Sequence, residues 1–290
     1  MRELIFIADR MHGHNLWHYI TFTDKIGNQC FMLEGNYYSH DDFAKYIQTQ
    51  KPKRAVLAFD AQDEFEYIIY LISDFIEWIS ISPKTKHNRQ FDFRPFEKCS
   101  MLEFIGFTWN TKQDSLWDVK KNTHLKSFIM TDYYKVSDFS SFRGSSISLL
   151  RLFGCNSLSS FTSKMHIDDF GFVADMPCLK ELRIDIVKDK PSEYYLNILS
   201  KCTNLEILCI PDSFFTFQQF AYLKSKLPQV KEGLDCVKNY SDDCYSIIGR
   251  RTPKSLDDIA KAEKYQKRYD TLVEKYKNRT EPPSDEEKDI

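Results

Sequence analysis

The sequence predicts an α/β fold: a solenoid of parallel strands placed side by side, with short helical turns between them. Three observations carry that prediction. First, an apolar triplet at relative positions one, four and six recurs as Leu102/Ile105/Phe107, Leu125/Phe128/Met130, Ile147/Leu150/Leu152, Leu179/Leu182/Ile184 and Leu205/Leu208/Ile210. Ile76/Ile79/Ile81 fits the same frame, and Leu57/Phe59 fits it without the first residue. Second, the fourth positions (57, 79, 105, 128, 150, 182, 208) are separated by 22, 26, 23, 22, 32 and 26 residues. That is the period of a stack in which each unit buries its apolar face only against the next. Third, the segments between strands, such as SLWDVKKN, FGFVADMP and YYLNILSKC, hold one or two helical turns.

Cys99, Asn122 and Cys202 stand three residues ahead of their strands in CSML, NTHL and CTNL. The fullest copy, Ile147, Leu150, Leu152, Cys155 and Leu158, matches the pattern L-x-x-L-x-L-x-x-N/C-x-L. On these residues the stretch 54–235 resembles leucine-rich repeat proteins, of an irregular bacterial type. The resemblance implies a leucine-rich repeat solenoid with strands on a concave side, short helices on a convex side, and protein recognition through the concave face. The chain departs from the pattern in three ways: Phe, Ile and Met replace many leucines, the Asn/Cys position is clearly filled only at Cys155, and the 32-residue interval contains an insertion.

A solenoid must cover both terminal apolar faces, so atypical ends are expected. Residues 1–53 read as an N-terminal cap: strands LIFIA, WHYITFT and CFMLEG, the last two forming a hairpin around Lys25 to Asn28. A helix follows in SHDDFAKYIQTQ, with Ser39 as N-cap and Asp41 and Asp42 favourable in its first turn. After the last repeat, FTFQQFAYLKSKLP places Phe217, Phe220, Tyr222 or Leu223, and Leu227 on one helical stripe that Pro228 ends. Residues 236–278 form a C-terminal capping segment with a short strand, CYSIIG, and a long amphipathic helix from Ser255 to Lys277. Ile259, Ala262, Tyr265, Tyr269, Leu272, Val273 and Tyr276 make its apolar stripe. Lys261, Lys264, Lys267, Arg268, Lys275 and Lys277 make a basic face. Residues 279–290, a polar run, are expected to be a disordered tail.

With 290 residues, 42% of them hydrophobic, the chain can bury a large core. A net charge of -2 gives no general attraction to nucleic acid or anionic lipid. The first apolar run, Leu4 to Ala8, is too short for a signal or membrane helix, so a cytoplasmic protein is expected. Eight cysteines without a C-x-x-C pair read as buried thiols rather than disulfides or zinc ligands. No phosphate-binding glycine loop, nucleophile elbow or H-E-x-x-H helix is present in the sequence. The pairs Asp41/Asp42, Asp168/Asp169 and Asp242/Asp243 stand beside helix starts, where capping accounts for them. The chain therefore reads as a monomeric, non-enzymatic protein with no cofactor and an unidentified protein partner. One alternative is a metal-dependent module using His12, His14 and His18; another is a nucleic-acid or membrane contact through the basic helix.

Side chains alternate along a strand, so positions three, five and seven of each unit point away from the core. The third-position column is Val56, Trp78, Phe104, Ser127, Leu149, Glu181 and Ile207. The fifth is Ala58, Ser80, Gly106, Ile129, Arg151, Arg183 and Cys209, and the seventh is Asp60, Ser82, Thr108, Thr131, Phe153, Asp185 and Pro211. Trp78, Phe104, Ile129, Leu149 and Phe153 then form one apolar patch next to Arg151 and Arg183. Aromatic and arginine side chains are the usual anchors of protein interfaces, and these seven residues are the candidate partner-binding site.

Overall fold

A computed structural model describes residues 4–10, 17–25, 29–38, 40–57, 59, 61–81, 89–108, 112–133, 135–153, 166–185, 193–241, 244–249, 259–284 and 286–287. In it β1 (Leu4–Arg10), β2 (Trp17–Lys25) and β3 (Gln29–Tyr38) precede α1 (His40–Gln50) and β4 (Arg54–Leu57). Next come α2 (Gln62–Ile72), β5 (Trp78–Ile81), β6 (Phe104–Thr108), β7 (Ser127–Thr131), β8 (Leu149–Phe153) and β9 (Glu181–Asp185). The chain continues through α3 (Glu193–Leu199), β10 (Ile207–Cys209), α4 (Phe217–Lys226), β11 (Val237–Ser241), β12 (Cys244–Ile247) and α5 (Ile259–Tyr276).

The first ten strands form one sheet in the order β10-β9-β8-β7-β6-β5-β4-β1-β2-β3. From β4 to β10 every neighbour is parallel and consecutive in the chain. The expected hairpin of β2 and β3 is present, and β1 joins it to the parallel run by pairing antiparallel to β2 and parallel to β4.

The parallel strands alternate in burial as the triplet requires. Ile79, Ile105, Phe128, Leu150, Leu182 and Leu208 lie side by side in register, and each is 0% exposed. They pack in one core with residues of the helical side, including Phe96, Trp117, Phe142 and Phe172 from 3-10 turns or their flanks. A backbone ladder repeats beside the strands. The Lys53 carbonyl accepts the N–H groups of Glu77 and Trp78, and the Glu77 carbonyl those of Glu103 and Phe104. Glu103, Lys126, Ser148 and Lys180 continue the same two-pronged bond to the next strand. Cys99, Asn122, Met176 and Cys202 share a tight turn, each accepting from the residue three ahead, which begins the strand's apolar triplet.

In β4 the register differs from the sequence expectation by two residues: Ala55 pairs with Ile79, and Leu57 with Ile81. The larger Leu57 and Phe59 resembled a fourth and sixth position, but Ala55 is small enough to fill the buried fourth position at 0% exposure. Arg54 therefore replaces Val56 beside Trp78, and Val56 takes the fifth position beside Ser80. Ala58 and Asp60 lie outside the described residues. α2, with 11 residues, exceeds the one or two turns expected between strands.

At the C-terminal end α5 packs through its predicted stripe. Ala262, Tyr269 and Tyr276 are buried, and Tyr265, Leu272 and Val273 sit half-buried against the core. Tyr269 stacks edge-on against Phe217 at 5.4 Å between centroids and donates to the Leu234 carbonyl at 2.9 Å. α4 is closed at its start by a capping box in which Thr216 and Gln219 each bond the other's backbone N–H. The polar segment after α5, expected to be disordered, is anchored on α4. Tyr222 donates to the Thr280 carbonyl at 2.8 Å, Gln219 Nε2 to the Pro283 carbonyl at 3.1 Å, and Pro282 and Pro283 are buried. Ser39 and Ser255, the expected caps of α1 and α5, lie outside the described residues. Among the described residues no helix is long and apolar enough to cross a membrane.

Candidate partner-binding face

The face of β5 to β9 turned away from the core is built by the half-buried positions of the same strands. Trp78 and Phe104 are paired across β5 and β6, and their rings stack at 4.9 Å between centroids with 7° between planes. Gly106, two residues beyond Phe104, leaves the Phe104 ring its room. A Cβ there would lie 3.2 Å from Cε1 of the Phe104 ring, so the bare backbone lets that ring lie over the sheet. Ile129 is paired with Gly106 on one side and Arg151 on the other. Leu149 stands between Ser127 and Glu181, and Phe153 between Thr131 and Asp185. All seven predicted residues thus share one face: Trp78, Phe104, Ile129, Leu149, Arg151, Phe153 and Arg183 are each half-buried.

The far end of the face is an ion-pair chain. Glu181 Oε1 accepts from Arg151 Nε at 2.7 Å and from Arg183 Nε at 2.6 Å. Arg183 turns its other edge to Glu232, with two bonds of 2.9 Å, and its NH1 also reaches Cys209 Sγ at 3.2 Å. Burial opposes the charged form of Glu181, but the hydrogen bonds from Arg151 and Arg183 outweigh it and hold the carboxyl below the usual range. Hydrogen bonding from Arg183 likewise lowers Glu232. Arg183 itself is raised, first by Glu232 and then by Glu181. Glu181 could be read from the third-position column, whereas Glu232 could not. It lies beyond the last apolar triplet, in a segment that bridges in parallel to Ile207.

A folded pKa below the unfolded one makes the Glu181 contribution present above the ordinary carboxylate range and lost as pH falls through the folded value. Glu181→Gln is therefore expected to cost about 1–2 kcal/mol at neutral pH. Its deficit in urea midpoint relative to wild type should shrink as pH drops below about 4. A deficit that stays constant from neutral to acid pH would count against the ion-pair chain.

The other candidate groups separate from this face. His12 and His14 lie outside the described residues, as does the side chain of His18. Among the described residues no group of three or more His, Cys, Asp or Glu could hold a metal ion. Asp41 and Asp42 occupy the first turn of α1. Asp169 caps the 3-10 turn Phe170–Val173 by accepting from Gly171 N, and also takes a bond from Arg143 at 2.6 Å. Asp168 accepts from Ser137. Asp242 and Asp243 lie outside the described residues. Burial pushes the thiols of Cys99 and Cys236 up to about 12 and that of Cys202 to about 11. Cys178 differs from the buried-thiol expectation: it follows Pro177 in a turn and is exposed.

No protein-family model matches the chain, and no curated protein matches it either.

Proposed function

We propose that the protein is a non-enzymatic leucine-rich repeat scaffold that binds another protein through the face of β5 to β9. The repeated carbonyl ladder and the turn that recurs before β6, β7, β9 and β10 support the solenoid reading, in which this face is the concave one. The observation that carries the binding reading is the Trp78–Phe104 stack. A protein that used this face only as a solvated surface would have no need to place two large rings flat on it, beside a glycine that leaves them room. The same reading has a monomer in the cytoplasm, with recognition rather than catalysis as its activity.

Affinity capture from the native host tests it with wild type and the variant Trp78→Ala/Phe104→Ala/Arg151→Ala. Truncating an interface anchor costs about 2 kcal/mol or more, or roughly 30-fold in affinity, so the specific partner should disappear from the variant's eluate. Gly106→Ala is the subtler arm: its methyl displaces the Phe104 ring without removing an aromatic side chain, and binding should weaken while the melting temperature stays near wild type. Identical partner sets for all three proteins would overturn the proposal.

A further inference from the structure

Resting on that reading, we infer that the partner presents an extended segment in which an Asp or Glu lies four residues from an aromatic or large aliphatic side chain. The inference starts from unequal use of the two arginines. Arg183 spends its fork on Glu232 and its Nε on Glu181. Arg151 spends only Nε, on Glu181, and among the described residues its two terminal nitrogens have no partner. Its side chain is 34% exposed, so water satisfies those nitrogens while the face is free.

A docked partner removes that water. Guanidinium N–H groups left without an acceptor under an interface are unfavourable, so the partner must bring one. A carboxylate meets the two free N–H edges of a guanidinium fork best, because its geometry matches and its charge is opposite. Glu181 and Glu232 balance the charges of Arg151 and Arg183, so what the Arg151 terminal nitrogens lack is a pair of acceptor oxygens.

Register sets the spacing. Phe104 and Arg151 are two strands apart and two residues apart along the strand direction. Strands about 4.8 Å apart and about 3.3 Å per residue give a diagonal of about 12 Å. An extended chain covers about 13 Å in four residues, and four residues return the side chain to the same side. One apolar side chain can thus sit on the Phe104 ring while the carboxylate reaches Arg151.

The test is selection of a displayed random-peptide library against the full chain in three forms: wild type, Arg151→Gln and Phe104→Ala. Arg183 still pairs Glu181 in Arg151→Gln, so that variant should fold, with a melting temperature lowered by no more than a few degrees for the one charged bond removed. Wild type is expected to enrich peptides with the apolar–acidic pair at the four-residue spacing. Changing the acid of a selected peptide to its amide should weaken binding about tenfold on wild type and leave it unchanged on Arg151→Gln. Peptides that need Phe104 but show no acidic preference, or no coupling to Arg151, would overturn this inference and leave the binding face standing. If no selected peptide depends on Phe104, both fail.

Discussion

Gly233→Ala is expected to destabilise the protein by about 3 kcal/mol or more, read as a lower urea midpoint, because backbone strain and a backbone collision act together. Gly233 has φ +101, a conformation that L side chains rarely adopt. A Cβ there would also overlap the Leu208 carbonyl oxygen, which belongs to the backbone of β10 and cannot rotate aside. The close approach is forced by pairing. Lys231 N bonds the Glu206 carbonyl, Leu208 N bonds the Glu232 carbonyl, and Gly233 follows directly. Gly144 provides the internal control, with φ +73 and nothing within 4 Å of the methyl that alanine would add. Gly144→Ala should show conformational strain alone, about 1–2 kcal/mol. Equal losses at the two positions would refute the collision. A shift of the 231–233 segment would also move Glu232 from Arg183, so the charged end of the face depends on this glycine.

The parts of the fold visible in the sequence are those where one side chain decides one position. Leu150, Leu152 and their equivalents are apolar because they are wholly buried, and their spacing survives the change of Leu for Phe, Ile or Met. Ala55 escapes the same reading because a small residue fills a buried site without announcing it. α2 is obscured for a different reason: its sequence QDEFEYIIYLI is followed within a few residues by the apolar strand WISI, and one apolar run does not reveal where a helix gives way to a strand. Docking of residues 279–284 depends on Gln219 and Tyr222 reaching backbone carbonyls, which composition does not record. That the seven residues of the candidate face lie together was legible because strand alternation sorts them directly. The ion-pair chain was legible only in part, since Arg183 and Glu232 are 49 residues apart and meet through a segment without the apolar triplet.

Asn122→Ala is expected to cost about 2–4 kcal/mol, by orphaning a buried donor and leaving a small void. Asn122 is 1% exposed. Its Oδ1 accepts from Trp117 Nε1 at 2.7 Å, and its Nδ2 donates to the carbonyls of Phe96 at 2.8 Å and Cys99 at 3.0 Å. The three partners do not lose equally. The Phe96 carbonyl still accepts from Cys99 N, and the Cys99 carbonyl from Leu102 N. Trp117 Nε1 keeps nothing, and its ring is held among Phe96, Phe107 and Phe128 where water does not reach. The cost should therefore fall mostly on the indole N–H, which a double-mutant cycle can isolate. Trp117→Phe removes the donor, so Asn122→Ala should be less harmful in that background than in wild type by about 1 kcal/mol or more. Additive losses would show that Asn122 acts through the two carbonyls instead. Those carbonyls belong to the turn before β6, while Asn122 belongs to the turn before β7, so its side chain ties one strand-and-turn unit to the next. Loosening that tie also loosens the strand that carries Phe104, and a stability defect at Asn122 should reach the proposed partner-binding face 18 residues away in sequence.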